Sequence, residues 1–450
     1  LQAYSDFNMF DETVVHFAED LPEGTHVVDY NDVWGEKGVE LRKLLPQSKD
    51  RRIKLRIVAW RERYVGKQYK ISGIKDGEFL ATYNPSPDVM RLVIVYGAVA
   101  FLVQEGTDML NGYFQSRAGD EDTGNSAYAN LPDSLWSEEW NRKYGDRRGD
   151  LHRRPLLRLL GGQYGRDRAA PDFDKHCTAM LNSIGFIADQ DVEPCLYRCA
   201  PTDVKTVIDA EIKRGVDRTP LGEGSTHVSP HTVLRYTDDN ETNLHEHEHA
   251  GIWERIDSVI KSQKREPMDG AKFVGLRYHI VHHPEKGYCE VGFDAREYAS
   301  LLVDEFESEV GVVKERDAPG PVATTMYGTA GEVRAAADGA AKNEESKPGV
   351  HAGRSRHWVG ALLFLMRIAR PDLAYPVIYL AGLQEAWDVD ADRHLLWIFG
   401  FLKKTRNFLL SGKVFYVDLW KLSVLLETDG SHAGCTSSRK GVSGFLVYLV

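Results

Sequence analysis

The stretch "HTVLRYTDDNETN", residues 231–243, decides how this chain is read. A short β-prone run (Val233, Leu234, Tyr236) leads into two adjacent carboxylates, Asp238 and Asp239. Paired aspartates at a strand end are what a metal-dependent nucleotidyl transferase requires; they also make an ordinary polar turn. With 20 tyrosines in the chain, a Tyr-x-Asp-Asp string arises by chance in roughly one such chain in ten. The residues after the pair are polar, and the same neighbourhood carries "HEHEH" at 245–249.

Working outward, 450 residues exceed one compact core and predict two or three domains. The composition is globular, with 42% hydrophobic and 27% charged residues. A formal charge of −11 argues against a chain that coats nucleic acid along its whole surface, because phosphate neutralisation needs clustered Lys and Arg. Two local clusters run against that balance, one within 49–75 (including Lys54, Arg56, Arg61 and Arg63) and one within 142–168 (including Arg147, Arg148, Arg153, Arg154 and Arg168). Each reads as a solvated face or as one wall of a phosphate groove. Five scattered cysteines with no CxxC pair indicate neither a disulfide framework nor a zinc ribbon, and predict a reducing, intracellular setting. No apolar run reaches the roughly 18 residues of a membrane span. The start at Leu1 and the stop inside "GFLVYLV" read as cut ends.

Periodicity predicts strands at 53–60, 193–198 and 271–282. It predicts helices at 89–103, around "DFDKHCTAMLNSIGF", at 250–262 and at 296–309. Residues 200–230 read as loop. The Ala-, Gly- and Pro-rich stretch 316–356 reads as a linker, followed by two helices (357–384 and about 390–404) and strands at "KVFYVDL" and "GFLVYLV".

Several segments, in order, resemble the Pol polyprotein of copia-type LTR retrotransposons. They are "KLRIVAW" (54–60), "TDMLNGYFQSRA" (107–118), "LLRLLGGQYGRDRAAPDFDKHC" (156–177), "YTDD" (236–239), "KFVGLRYHI" (272–280), "HWVGALLFLMRIARPDLAYPVIYLAGL" (357–383) and "ETDGSHAGCTSSRKGVSGFLVYL" (427–449). The resemblance implies an α+β fold of fingers and palm over 1–315, the linker, a connection segment over 357–420 and the opening of an RNase H-like unit over 421–450. It implies RNA-directed DNA synthesis with Asp108, Asp238 and Asp239 holding Mg²⁺ or Mn²⁺, template-primer and deoxynucleotides as partners, and the rest of a Pol polyprotein as a further one. Such a protein would work in a cytoplasmic particle or the nucleus. Tyr113 matches the aromatic that rejects a ribose 2′-hydroxyl. Lys54 and Arg56 match basic contacts to the triphosphate, and Arg168, where the family has glutamine, joins the nucleotide-binding set. Asp429 matches the first RNase H carboxylate, and no RNase H activity is expected because the later carboxylates are not reached.

The chemistry suits these residue types: hard carboxylate oxygens from neighbouring strands hold divalent ions that assist an in-line phosphoryl transfer. Three departures stand out. Arg235 interrupts an otherwise apolar strand, Asp174 stands where a second aromatic belongs, and "NETNLHEHEHAG" replaces an apolar return strand. The last predicts a hairpin lacking half its burial. Two other readings therefore stay open, an inactive remnant that at most binds nucleic acid and a metal-binding protein centred on the histidines. "HEHEH" itself reads as a solvated loop without zincin spacing.

Overall fold

The computed structural model describes residues 8–22, 25–36, 53–64, 83–117, 127–150, 153–162, 169–189, 193–318, 348–431 and 442–449. For 26, 30–36, 53–64, 424–431 and 442–449 it describes the backbone alone. Helices and mainly antiparallel sheets alternate, so the fold class is α+β. The chain forms two compact units that interleave along the sequence. The first comprises Leu1–Pro85, Glu105–Ala200 and Pro230–Glu266; the second comprises Ser86–Gln104, Pro201–Ser229 and Pro267–Val450.

The first unit carries two sheets. Five strands lie in the order Phe10–His16, Leu156–Leu159, Ala127–Asn130, His26–Glu36, Ile53–Tyr64. The last pair is antiparallel, with Lys54 opposite Gly35 and Arg56 opposite Val33. The second sheet runs Glu266–Pro267, Val103–Asp108, Asp239–Leu244, His231–Tyr236, Glu193–Cys199, Ile187–Asp189. Helix Ala169–Ser183 packs a stripe of Ala169, Phe173, Cys177 and Leu181, one residue per turn, while His249–Val259 buries Ile252, Trp253 and Ile256. Phe173, Cys177 and Leu181 of the first helix and the three residues of the second enter one core with Met109, Tyr197, Val233 and Leu244.

In the second unit, Ser86 caps helix Pro87–Val99 by accepting the Val89 N–H, with Pro87 in the first turn where its missing donor costs nothing. A four-stranded antiparallel sheet (Lys272–Phe273, Leu276–His283, Tyr288–Asp294, Leu410–Phe415) accompanies helices Arg296–Val310, Ser355–Ile368, Ala374–Gly382 and Val389–Thr405. Phe306 stacks on Phe399 at 3.7 Å between ring centroids, and Trp358 meets both edge-on. Strands Val424–Ser431 and Val442–Leu449 pair separately, placing Asp429 opposite Gly444. No helix among the described residues is long and apolar enough to cross a membrane.

Three expectations need correction. Residues 200–230 are not all loop: Val204–Lys213 is a helix whose cap, Asp203, accepts the Thr206 N–H. The helix read across 357–384 breaks, because Pro371 lacks the N–H that would continue it; the chain turns there before Ala374–Gly382 begins. Finally, the polar second strand of the hairpin does not lack burial: it pairs with His231–Tyr236 from Asp239↔Tyr236 to Asn243↔Thr232, and Asn240, Glu241, Thr242, Asn243 and Leu244 are all buried. Most of the expected linker, 319–347, lies outside the described residues.

Candidate active site

The hairpin explains itself once its hydrogen bonds are followed. Asn240, Glu241, Thr242 and Asn243 are all buried. Polar contacts hold part of this strand, while Asn240 Oδ1, Glu241 Oε2 and Asn243 Oδ1 have no hydrogen-bond partner among the described residues. Asn243 Nδ2 donates to Thr232 Oγ1 (2.9 Å) and Glu241 Oε1 (3.1 Å), and Thr242 Oγ1 donates to the Glu105 carbonyl (3.3 Å). The two-residue repeat of a strand puts Asp239 and Glu241 on one face. Glu241 is fully buried, and that burial pushes its carboxyl up to about 8.

At the hairpin tip the chain must reverse over Thr237, which takes a left-handed φ of 57°. Thr237 Oγ1 donates to Asn84 Oδ1 at 3.1 Å. Asp238 follows, and its carbonyl accepts the Met109 N–H at 2.7 Å, fixing the turn to the residue after Asp108. Asp108 ends its own strand; Gln263 secures it twice, through a backbone N–H to its carbonyl (2.8 Å) and a side-chain amide to its carboxylate. The three aspartates thus come to one end of one sheet and sense one another: Asp239 is pushed up to about 6, first by burial, then by the charges of Asp238 and Asp108.

Tyr113, on the short helix Gly112–Gln115, leans on Phe173 with ring centroids 5.1 Å apart. Burial raises its phenol, and the Asp238 charge raises it further. Space here is close: a Cβ on Gly112 would lie 3.0 Å from Asp238 Cβ and 3.0 Å from Phe173 Cζ. Gly112→Ala is therefore expected to cost about 1 kcal/mol, the low end for overpacking, and to displace Asp238. Denaturant midpoints and the Asp238 carboxyl ¹³C resonance would record the two effects separately.

Beneath the tip, Arg235 is 2% exposed. Its Nη2 donates to the Asp174 carboxylate and its Nη1 to the Thr237 carbonyl at 3.3 Å. Two of the departures noted in the sequence are thus partners: a cation in the strand and an anion on the helix. Each was legible as an anomaly; only the fold shows that they meet. Gln263 and Gly112 carried no signal that a single sequence exposes.

The remaining predicted residues divide. Lys54 and Arg56 lie two positions apart on the outer strand of the five-stranded sheet, with their side chains outside the described residues. Arg168 also falls outside the described residues. Asp429 sits in the separate two-stranded ladder. Within "HEHEH", His245 is buried rather than solvated, 5.0 Å from the His231 ring. His231 is already engaged at both nitrogens, Nδ1 accepting the His245 N–H at 3.2 Å and Nε2 facing Glu248 at 3.1 Å. Among the described residues no three His, Cys, Asp or Glu side chains stand in metal-holding geometry. The aspartates fit a hard divalent ion by donor type and by the mutual repulsion such an ion relieves; they are not gathered into a closed ligand set.

No protein-family profile and no curated protein matches the chain. Among solved structures, the foamy viral protease-reverse transcriptase dRH in complex with double-stranded DNA aligns at 12% identity and a TM-score of 0.38. The alignment covers 88% of this chain and 47% of that one, so the chain spans about half of the viral protein's length. A likeness of that degree establishes neither fold nor function.

Proposed function

We propose that this chain is a nucleotidyl transferase of the reverse-transcriptase type, kin to the copia-type Pol polyproteins it resembles, extending a DNA primer on an RNA template. One observation carries the reading: Asp108, 130 positions before the adjacent Asp238 and Asp239, reaches the same sheet end, where the residue after it, Met109, donates its N–H to the Asp238 carbonyl. In this reading the five-stranded sheet serves as fingers and the six-stranded sheet as palm. The three aspartates would hold Mg²⁺ or Mn²⁺, which when bound lowers the barrier to in-line transfer by stabilising charge on the transferring phosphoryl group. Asp238 is held ready by the Met109 N–H, and Asp108 by Gln263. Tyr113 stands against Asp238 and Phe173, where a fixed ring narrows the space a sugar 2′-hydroxyl would need. Lys54 and Arg56 are proposed to meet the triphosphate through charge-assisted hydrogen bonds.

The test is primer extension on an RNA template with purified protein and Mg²⁺ or Mn²⁺, beside Asp238→Asn/Asp239→Asn. Extension by the native chain that falls below detection in the double variant is the expected result. A folded native chain that extends nothing would retire the enzyme reading and leave binding of template-primer as the activity to seek.

A further inference from the structure

We propose that Arg235 is a positioning residue for the aspartate turn, an inference that rests on reading Asp108, Asp238 and Asp239 as the catalytic set. The turn is under local strain. Thr237 is β-branched, and a left-handed φ is unfavourable for such a residue unless its surroundings hold it there. Two bonds hold it. One is the side-chain bond to Asn84; the other is the Arg235 guanidinium on the Thr237 carbonyl.

The same planar group reaches two more elements. It bonds Asp174 on helix Ala169–Ser183, and its centre lies 5.9 Å from the Phe173 ring, the wall on which Tyr113 leans. A single side chain thus ties the backbone just before Asp238 to the helix that backs Tyr113. Asp238 has little freedom to adjust if that tie is lost, because its Cβ already sits against Gly112 and its carbonyl is bonded to Met109. Lysine cannot do this work. Its ammonium is a point charge without the fork that serves two acceptors in different directions.

A buried cation in the strand that leads into Asp238 has one competing role, that of a counter-charge. The two roles differ in what they predict. A counter-charge is replaced by lysine, and its removal strengthens divalent-cation binding. A positioning tie is not replaced by lysine, and its removal weakens that binding.

The experiment is hydrogen exchange by mass spectrometry on the full chain, comparing the native protein with Arg235→Lys and Arg235→Met. Amides of residues 237–240 are expected to exchange about tenfold faster in both variants, with helix His249–Val259 unchanged. Native exchange at the turn in Arg235→Lys would overturn the proposal, as would faster exchange across the whole unit. Should Arg235→Met fail to fold, the lysine variant decides alone. Titration with Mn²⁺ gives a second readout: binding weakened about tenfold in both variants supports the tie, and tighter binding in Arg235→Met overturns it. In primer extension, kcat is expected to fall while KM for the deoxynucleotide holds; a KM change alone contradicts positioning. A native chain that extends nothing removes the polymerase reading, and the exchange result still decides whether Arg235 orders the turn.

Discussion

Replacing Asp174 with alanine is expected to cost about 3–5 kcal/mol, far more than replacing its partner. The two ends of this ion pair live in different media. Arg235 is 2% exposed, whereas the Asp174 side chain is 35% exposed. Remove Asp174, and a guanidinium stays buried with Thr237 O as its remaining acceptor; its Nε already has none among the described residues. Burial draws that group down only to about 10, so at neutral pH it keeps its charge. Remove Arg235 instead, by substitution with methionine, and the orphaned carboxylate turns to water. That loss should stay near 1 kcal/mol, because the apolar replacement fills the volume and leaves no buried charge. Protection of the His231–Tyr236 amides from exchange measures both variants locally, which suits a chain of two units. Equal losses for the two variants would mean that burial of the cation is not what governs the pair.

The second large effect concerns Glu241 and acidity. In the unfolded chain its carboxyl titrates near 4.5; in the fold burial pushes it up to about 8. Below about pH 4.5 the group is neutral in both states, and its contribution to stability is fully present. Between the two values the unfolded chain releases the proton while the folded chain keeps it, so stability falls as the pH rises. Past about pH 8 the carboxylate would be buried as an anion, and the loss, on the order of 5 kcal/mol, is complete. Glu241→Gln removes the titration. The expected result is a hairpin whose exchange protection declines from pH 5 to pH 9 in the native chain and stays level in the variant. A native decline that persists in Glu241→Gln would assign the pH dependence elsewhere.

Glu241 also shows where sequence reading reached its limit. Alternation predicted the strand at 53–60, and apolar spacing predicted the helices at 250–262 and 296–309, because those helices bury hydrocarbon on a regular period. The strand Asp239–Leu244 buries amides, a hydroxyl and a carboxyl instead. Periodicity scores only apolar positions, so a strand with Asn243, Thr232 and Thr242 hydrogen bonds registers as one that lacks burial. Helix Val204–Lys213 was missed for a different reason: the surrounding Pro and Gly outweighed the cap signal of Asp203. The candidate site divides the same way. Asp108, Asp238 and Asp239 were legible from their motifs, and the structure brings them together. The Arg235–Asp174 pair was visible as two separate irregularities, and the grip of Gln263 on Asp108 gave no sign at all.

The interleaving of the two units has a consequence for synthesis. Asp108 leaves the ribosome about 130 positions ahead of Asp238, and the strand it terminates then lacks the neighbour it will pair with, Asp239–Leu244. Contacts so distant along the chain form slowly, and an unmatched strand edge invites the wrong partner meanwhile. The nascent polypeptide therefore carries one of the three carboxylates without the other two for 130 positions of its translation. A stop codon anywhere between those two aspartates would yield a product with the first acid and no second.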